Sequence, residues 1–255
     1  MELTTAWVNY VNRLSKIDSK ATEVLGRYIE SIPNFSFDNP EHMSALILEA
    51  YRVSDKYGTA AATLAAEMYD AIGLASGMFL DPAELALSAG IGNIEKTVRG
   101  AAKTKNPSEV TSAVARLVKK QGIDTVLQNA KRDGAEVAWV PMGDTCAFCI
   151  ALAARGWRPA DNSYQEHIHS NCNCTLATRF NNRTSIKGYN PEDYENMYYG
   201  ADLDGARPTA KNRINAMRRA AYAKNKEEIN KNKRINYAER KERLNSSQAE
   251  EIDVN

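Results

Sequence analysis

A chain of 255 residues, 43% hydrophobic and with a formal net charge of +1, has room for one or two modest domains with a real core. Its most apolar stretch, residues 58–80, carries Glu67 and Asp70, which argues against a membrane span, and Met1-Glu2-Leu3-Thr4 has neither the basic nor the apolar region of a signal peptide. Synthesis in a reducing cytosol is expected, where the four cysteines read as metal ligands before they read as disulfides.

The first expected element is an amphipathic helix carrying Trp7, Val11, Leu14, Ala21, Val24, Leu25 and Tyr28. His42, near the next helix start, reads as a surface residue. From Pro40 to about Leu80 an alanine-rich stretch predicts one long helix or two. Four helix starts are marked by a capping side chain before proline: Asn39-Pro40, Asp81-Pro82, Asn106-Pro107 and Asn190-Pro191. Behind Pro107, Val110, Val114, Leu117, Val118, Val126 and Leu127 recur at helical spacing, with a break expected at Gly122-Ile123.

Strand signals are few. Residues 136–140 (Glu-Val-Ala-Trp-Val) deliver the chain to the first cysteine pair, and residues 174–178 (Cys-Thr-Leu-Ala-Thr) begin at the last cysteine. Two such strands flanking a metal knuckle are placed to pair with each other. The fold class expected is mainly α with a small β element (α+β). It divides into a helical N-terminal region over 1–100, a compact zinc-stapled module over 101–186 and a charged helical tail over 187–255. In the tail Ile214, Met217 and Ala221 share a helical face.

Charge is unevenly spread. Residues 1–100 hold about 8 basic and 13 acidic side chains, whereas 207–243 hold about 13 basic and 4 acidic ones. The basic tail is suited to neutralising phosphates, although Tyr222 and Tyr237 alone do not make a stacking platform beside it. A solvated charged helix is the competing reading.

The strongest chemical signal is Cys146-x-x-Cys149 followed by His169-x-x-Cys172-x-Cys174. A C-x-x-C turn lets two thiolates reach one ion at about 2.3 Å each, and H-x-x-C offers a second bite of similar reach. All four cysteines and two of three histidines fall within this short interval. Five donors compete for four tetrahedral positions, so either the four cysteines bind or three cysteines with His169. Both sets close the site to water and describe structural rather than catalytic zinc. Disulfide pairing is the alternative once the chain leaves the cytosol.

These residues carry a family resemblance. Trp139, Asp144, Cys146, Cys149, Leu152 and Gly156, then His169, Asn171, Cys172 and Cys174, follow the order found in the Mu F-like family of phage minor head proteins. Ser170 stands where that family commonly has proline, and Asn173 where it commonly has arginine. The resemblance covers roughly residues 105–180. It implies a non-enzymatic minor capsid protein of the virion, inside the head near the portal vertex and in the host cytoplasm during assembly. Its partners would be the portal and capsid proteins, with packaged DNA met through the basic tail and no membrane contact. An HNH-like nuclease is the competing enzyme reading, with His167 as general base oriented by Asn181 or Asn182. It lacks a histidine after Phe180. A zinc-binding interaction module without a phage connection is the third reading.

Overall fold

The computed structural model describes residues 4–143, 145–161, 174–181, 185–186, 188–205, 207–228, 230–231 and 234–235. Two compact units divide the chain, residues 1–196 and 197–255.

In the first unit, α1 (Thr4–Ser31), α2 (Pro40–Ala75) and α4 (Pro107–Arg132) pack on one another, and α3 (Ile91–Ala102) lies against α4 and α2. The alanine-rich stretch is one helix of 36 residues. Its Asn39 cap accepts the Glu41 and His42 N–H groups, and the Asn106 cap of α4 accepts that of Ser108. These are the orphan donors that a proline at the first helical position leaves to be satisfied. Pro191 likewise opens α6 (Pro191–Tyr199).

Small residues set the distance between α2 and α4. A Cβ on Gly122 would sit 3.1 Å from the Ala61 carbonyl oxygen, and one on Gly58 would strike the Gln121 side-chain amide. The helix α4 therefore runs unbroken through Gly122-Ile123, contrary to expectation. Glycine there serves close approach to Ala61, not a change of direction. His42 also departs from its expected surface role: it is partly buried, stacks on Phe35 and accepts the Ser36 N–H at 3.1 Å.

Asp81-Pro82 starts no helix. Residues 78–90 instead form a strap laid antiparallel along α4. Arg132 donates to the Asp81 and Pro82 carbonyls, Asn129 both accepts from the Glu84 N–H at 2.9 Å and donates to its carbonyl at 2.8 Å, and Thr125 accepts from the Ala86 N–H at 3.0 Å. Gln121 donates to the Ala86 carbonyl at 2.9 Å. Four residues of helix rise about 6 Å, close to the roughly 6.6 Å that two residues of extended chain cover. The step from Asn129 to Thr125 thus matches the step from Glu84 to Ala86, and Gln121 takes up the remaining Ala86 carbonyl. These side-chain bonds replace the ones a helix at Pro82 would have made.

After α4, Gly134 (φ 65°) reverses the chain while the Ala135 N–H closes on the Ala130 carbonyl at 2.9 Å. A three-stranded antiparallel sheet follows in the order β2-β1-β3, from β1 (Glu136–Pro141), β2 (Arg158–Pro159) and β3 (Cys174–Arg179). The two expected strands do pair, from Glu136 with Arg179 to Pro141 with Cys174. The sheet packs against α2 and α4, with α5 (Ala147–Ala153) on β1, and Val137, Ala138, Trp139 and Val140 are all buried. One hydrophobic core runs from Trp7 to Tyr189, so the helices and the sheet share it.

The second unit contains α7 (Ala210–Lys224), opened by Thr209, which accepts the Asn212 N–H. Ala216 is its buried residue, Ile214 and Met217 are half-buried and Ala221 is exposed, so the expected face is covered only along its N-terminal part.

Candidate metal centre

β1 ends at Pro141, and the chain turns through Gly143 (φ 77°), whose carbonyl accepts the Thr145 hydroxyl at 2.8 Å. Cys146 then caps α5. Its Sγ accepts the Cys149 N–H at 3.5 Å, so the C-x-x-C pair straddles the start of the helix. Cys146 is exposed and Cys149 is buried. This places one sulfur at the surface and one against the core, within a single turn.

Cys174 opens β3 directly across from Pro141 and is buried. The antiparallel register thus returns Cys174 to the sheet end from which the C-x-x-C turn departs. Among the described residues no three His, Cys, Asp or Glu side chains gather closely enough to hold a metal on their own. His169 and Cys172, the other two candidate ligands, lie outside the described residues, as do Asp144, His167, Asn171 and Asn182. Asn181 is exposed just after β3.

The surroundings are built for rigidity. Trp139 and Leu152, on β1 and α5, are buried. The α5 end is closed by Gly156 (φ 65°), where a Cβ would sit 3.4 Å from Pro191. Tyr189 donates its hydroxyl to the Ala153 carbonyl at 3.0 Å and meets Trp157 edge-on. Arg179 lies 4.9 Å over the Trp157 ring and pairs with Glu136 at 2.7 Å across the strands. Tyr194 has its hydroxyl pKa raised, first by burial and then by negative charge at Cys174 and Asp193. Sequence reasoning missed Trp157, Arg179 and Tyr189. Only the isolated Arg158-Pro159 strand could have signalled them, and two residues carry too little pattern to read.

A cavity of about 240 Å³ lies beside Cys174, lined by α1, α4 and β3. Asp18 and Lys119 face each other across it at 3.7 Å, and burial raises the Asp18 carboxyl pKa more than Lys119 lowers it. Nearby, the Tyr10 hydroxyl reaches Thr175 at 3.4 Å, and burial pushes its pKa up to about 12.

A protein-family model, described as VG15 protein, matches residues 1–201. The chain belongs to the VG15 protein family. This is a family of viral gene 15 proteins and makes the chain a phage-type protein. The match spans the whole first compact unit, including the helical front part in which the sequence held no motif of its own. No curated protein and no solved structure matches the chain. Among the described residues, no helix is long and apolar enough to cross a membrane.

Proposed function

We propose that this VG15 protein is a minor head protein acting near the portal vertex, in head assembly and in packaging or delivery of DNA, and that a structural zinc closes its β1–α5–β3 module. One observation carries the zinc reading: the β1–β3 register sets Cys174 opposite Pro141, five residues before Cys146. The soft sulfur donors suit zinc, and His169 or Cys172 would complete the set. When bound, the metal would staple the two halves of the module by coordination. Cys146 and Cys149 would hold it from the α5 side and Cys174 from the sheet, while the Trp157, Arg179 and Tyr189 contacts keep those elements in place.

The head assignment rests on phage-family membership together with the resemblance of the cysteine module to Mu F-like head proteins. The basic helix α7, with Lys211, Arg213, Arg218, Arg219 and Lys224, supports contact with packaged DNA through phosphate neutralisation. The relevant measurement is metal analysis of the purified chain together with fractionation of virions. One zinc per chain, and the chain in purified heads, is the expected result. A metal-free chain with two disulfides removes the zinc reading, and absence from heads removes the location.

A further inference from the structure

The helix α7 is anchored along its first half and bare along its second. Thr209 caps it, Ala216 is buried, and Arg213 donates to the Tyr199 carbonyl at 2.9 Å while lying 4.8 Å over the Tyr199 ring. From Arg218 to Lys224 every residue is exposed. The 15 residues of α7 include five lysines and arginines and no carboxylate. Charge complementarity therefore points to a polyanion as the partner of the bare half.

The order of side chains around the helix says how that partner lies on it. At 3.6 residues per turn, Arg219, Ala223, Ala220 and Lys224 follow one another across about 140° of the surface. Two small side chains make up the middle of this side, and a cation stands on each flank. The major groove of DNA, about 12 Å wide, admits a helix. Alanine lets the backbone approach the groove floor, and the flanking cations reach the phosphates of the two walls. We propose that the bare half of α7 enters the major groove of duplex DNA by its Ala220–Ala223 side. Arg219 and Lys224 then each hold one phosphate strand. The Arg219–Asp204 pair, at 3.3 Å, is exposed on both partners, so exchanging it for a phosphate costs little. Arg218, Ala221 and Tyr222 lie on the opposite side of the helix. No aromatic ring therefore faces the bases, and the side offers no platform for stacking a single strand. The inference rests on the reading that α7 meets packaged DNA, and adds the form of the DNA, the groove and the face.

Fluorescence anisotropy of a short labelled duplex titrated with the full chain tests this. Ala220→Trp, a bulky neutral change on the inserted side, is expected to weaken binding about tenfold. Ala221→Trp, the same change on the opposite side, is expected to leave it within about twofold. Both positions are exposed, so neither change disturbs the packing of the unit. On the wild-type chain, methyl green, which fills the major groove, should compete, whereas netropsin, which fills the minor groove, should not. Equal affinity of the two tryptophan variants overturns the groove insertion and leaves phosphate contact standing, as does competition by netropsin alone. A wild-type chain that binds no duplex even at low salt removes the DNA contact itself, and the insertion with it. None of these outcomes bears on the zinc.

Discussion

Asp133, at the end of α4, takes the Tyr69 hydroxyl at 2.9 Å and both donors of the Arg132 fork, which hold its carboxyl below the usual range. Its contribution is present above the ordinary carboxyl value of 3.8 and is lost as pH falls below it. Asp133→Asn should therefore cost about 1–3 kcal/mol near neutrality, with the difference from wild type vanishing in strong acid, as read by urea unfolding across pH. Asp18 has the opposite sign. Burial raises its pKa, so the native state favours the protonated form, and stability rises as pH falls from the raised value toward 3.8. Asp18→Asn should abolish that acid-side gain in the same titration. Neither behaviour is legible in the sequence, where both residues are single aspartates on helical segments. The Asp133 shift comes first from the adjacent Arg132 and then from Tyr69, 64 positions away, whereas the Asp18 shift comes from burial that Lys119 only partly offsets.

Helices were read more reliably than the chain between them. The Asn-Pro signals at 39, 106 and 190 begin helices because a cap and a proline settle the N-terminus locally. The equivalent Asp81-Pro82 signal fails because α4 offers a competing set of partners that no local window contains. The clue was present on α4 itself: Gln121, Thr125 and Asn129 put polar side chains one turn apart on a helix otherwise made for burial, and all three are buried. Asn129→Leu should orphan the Glu84 N–H and cost at least about 2 kcal/mol, with new proteolytic cleavage confined to 79–90. At the α2–α4 crossing, Gly58→Ala should displace Gln121 from the Ala86 carbonyl and cost about 1–3 kcal/mol, measured by thermal unfolding. Gly122 misled the reading for a related reason, since a glycine that permits close packing looks the same in sequence as one that breaks a helix.

Across the whole molecule, the β1–β3 pairing was foreseeable because each strand borders a cysteine cluster and must return to it. The path between residues 162 and 173, which carries His169 and Cys172, lies outside the described residues. If zinc closes the module as proposed, chelation should leave the far-UV helical signal largely intact, because α1, α2 and α4 are held by their own core. Backbone amides of β3 and α5 should meanwhile lose hydrogen-exchange protection, since coordination energy is folding energy at a small site. Loss of the whole helical signal on chelation would instead place the metal at the foundation of the fold.

The pairing of Pro141 with Cys174 also ties the proposed metal site to strand register. Side chains in a strand alternate faces, so a slip of β3 by a single residue would carry Cys174 to the wrong side of the sheet. Leu176 and Thr178 would turn with it. In a misregistered chain, a thiol needed for coordination would face away from its partners. If zinc binds as proposed, its uptake would act as a vernier on the strand alignment, admitting the chain whose register is correct and leaving the slipped one unladen.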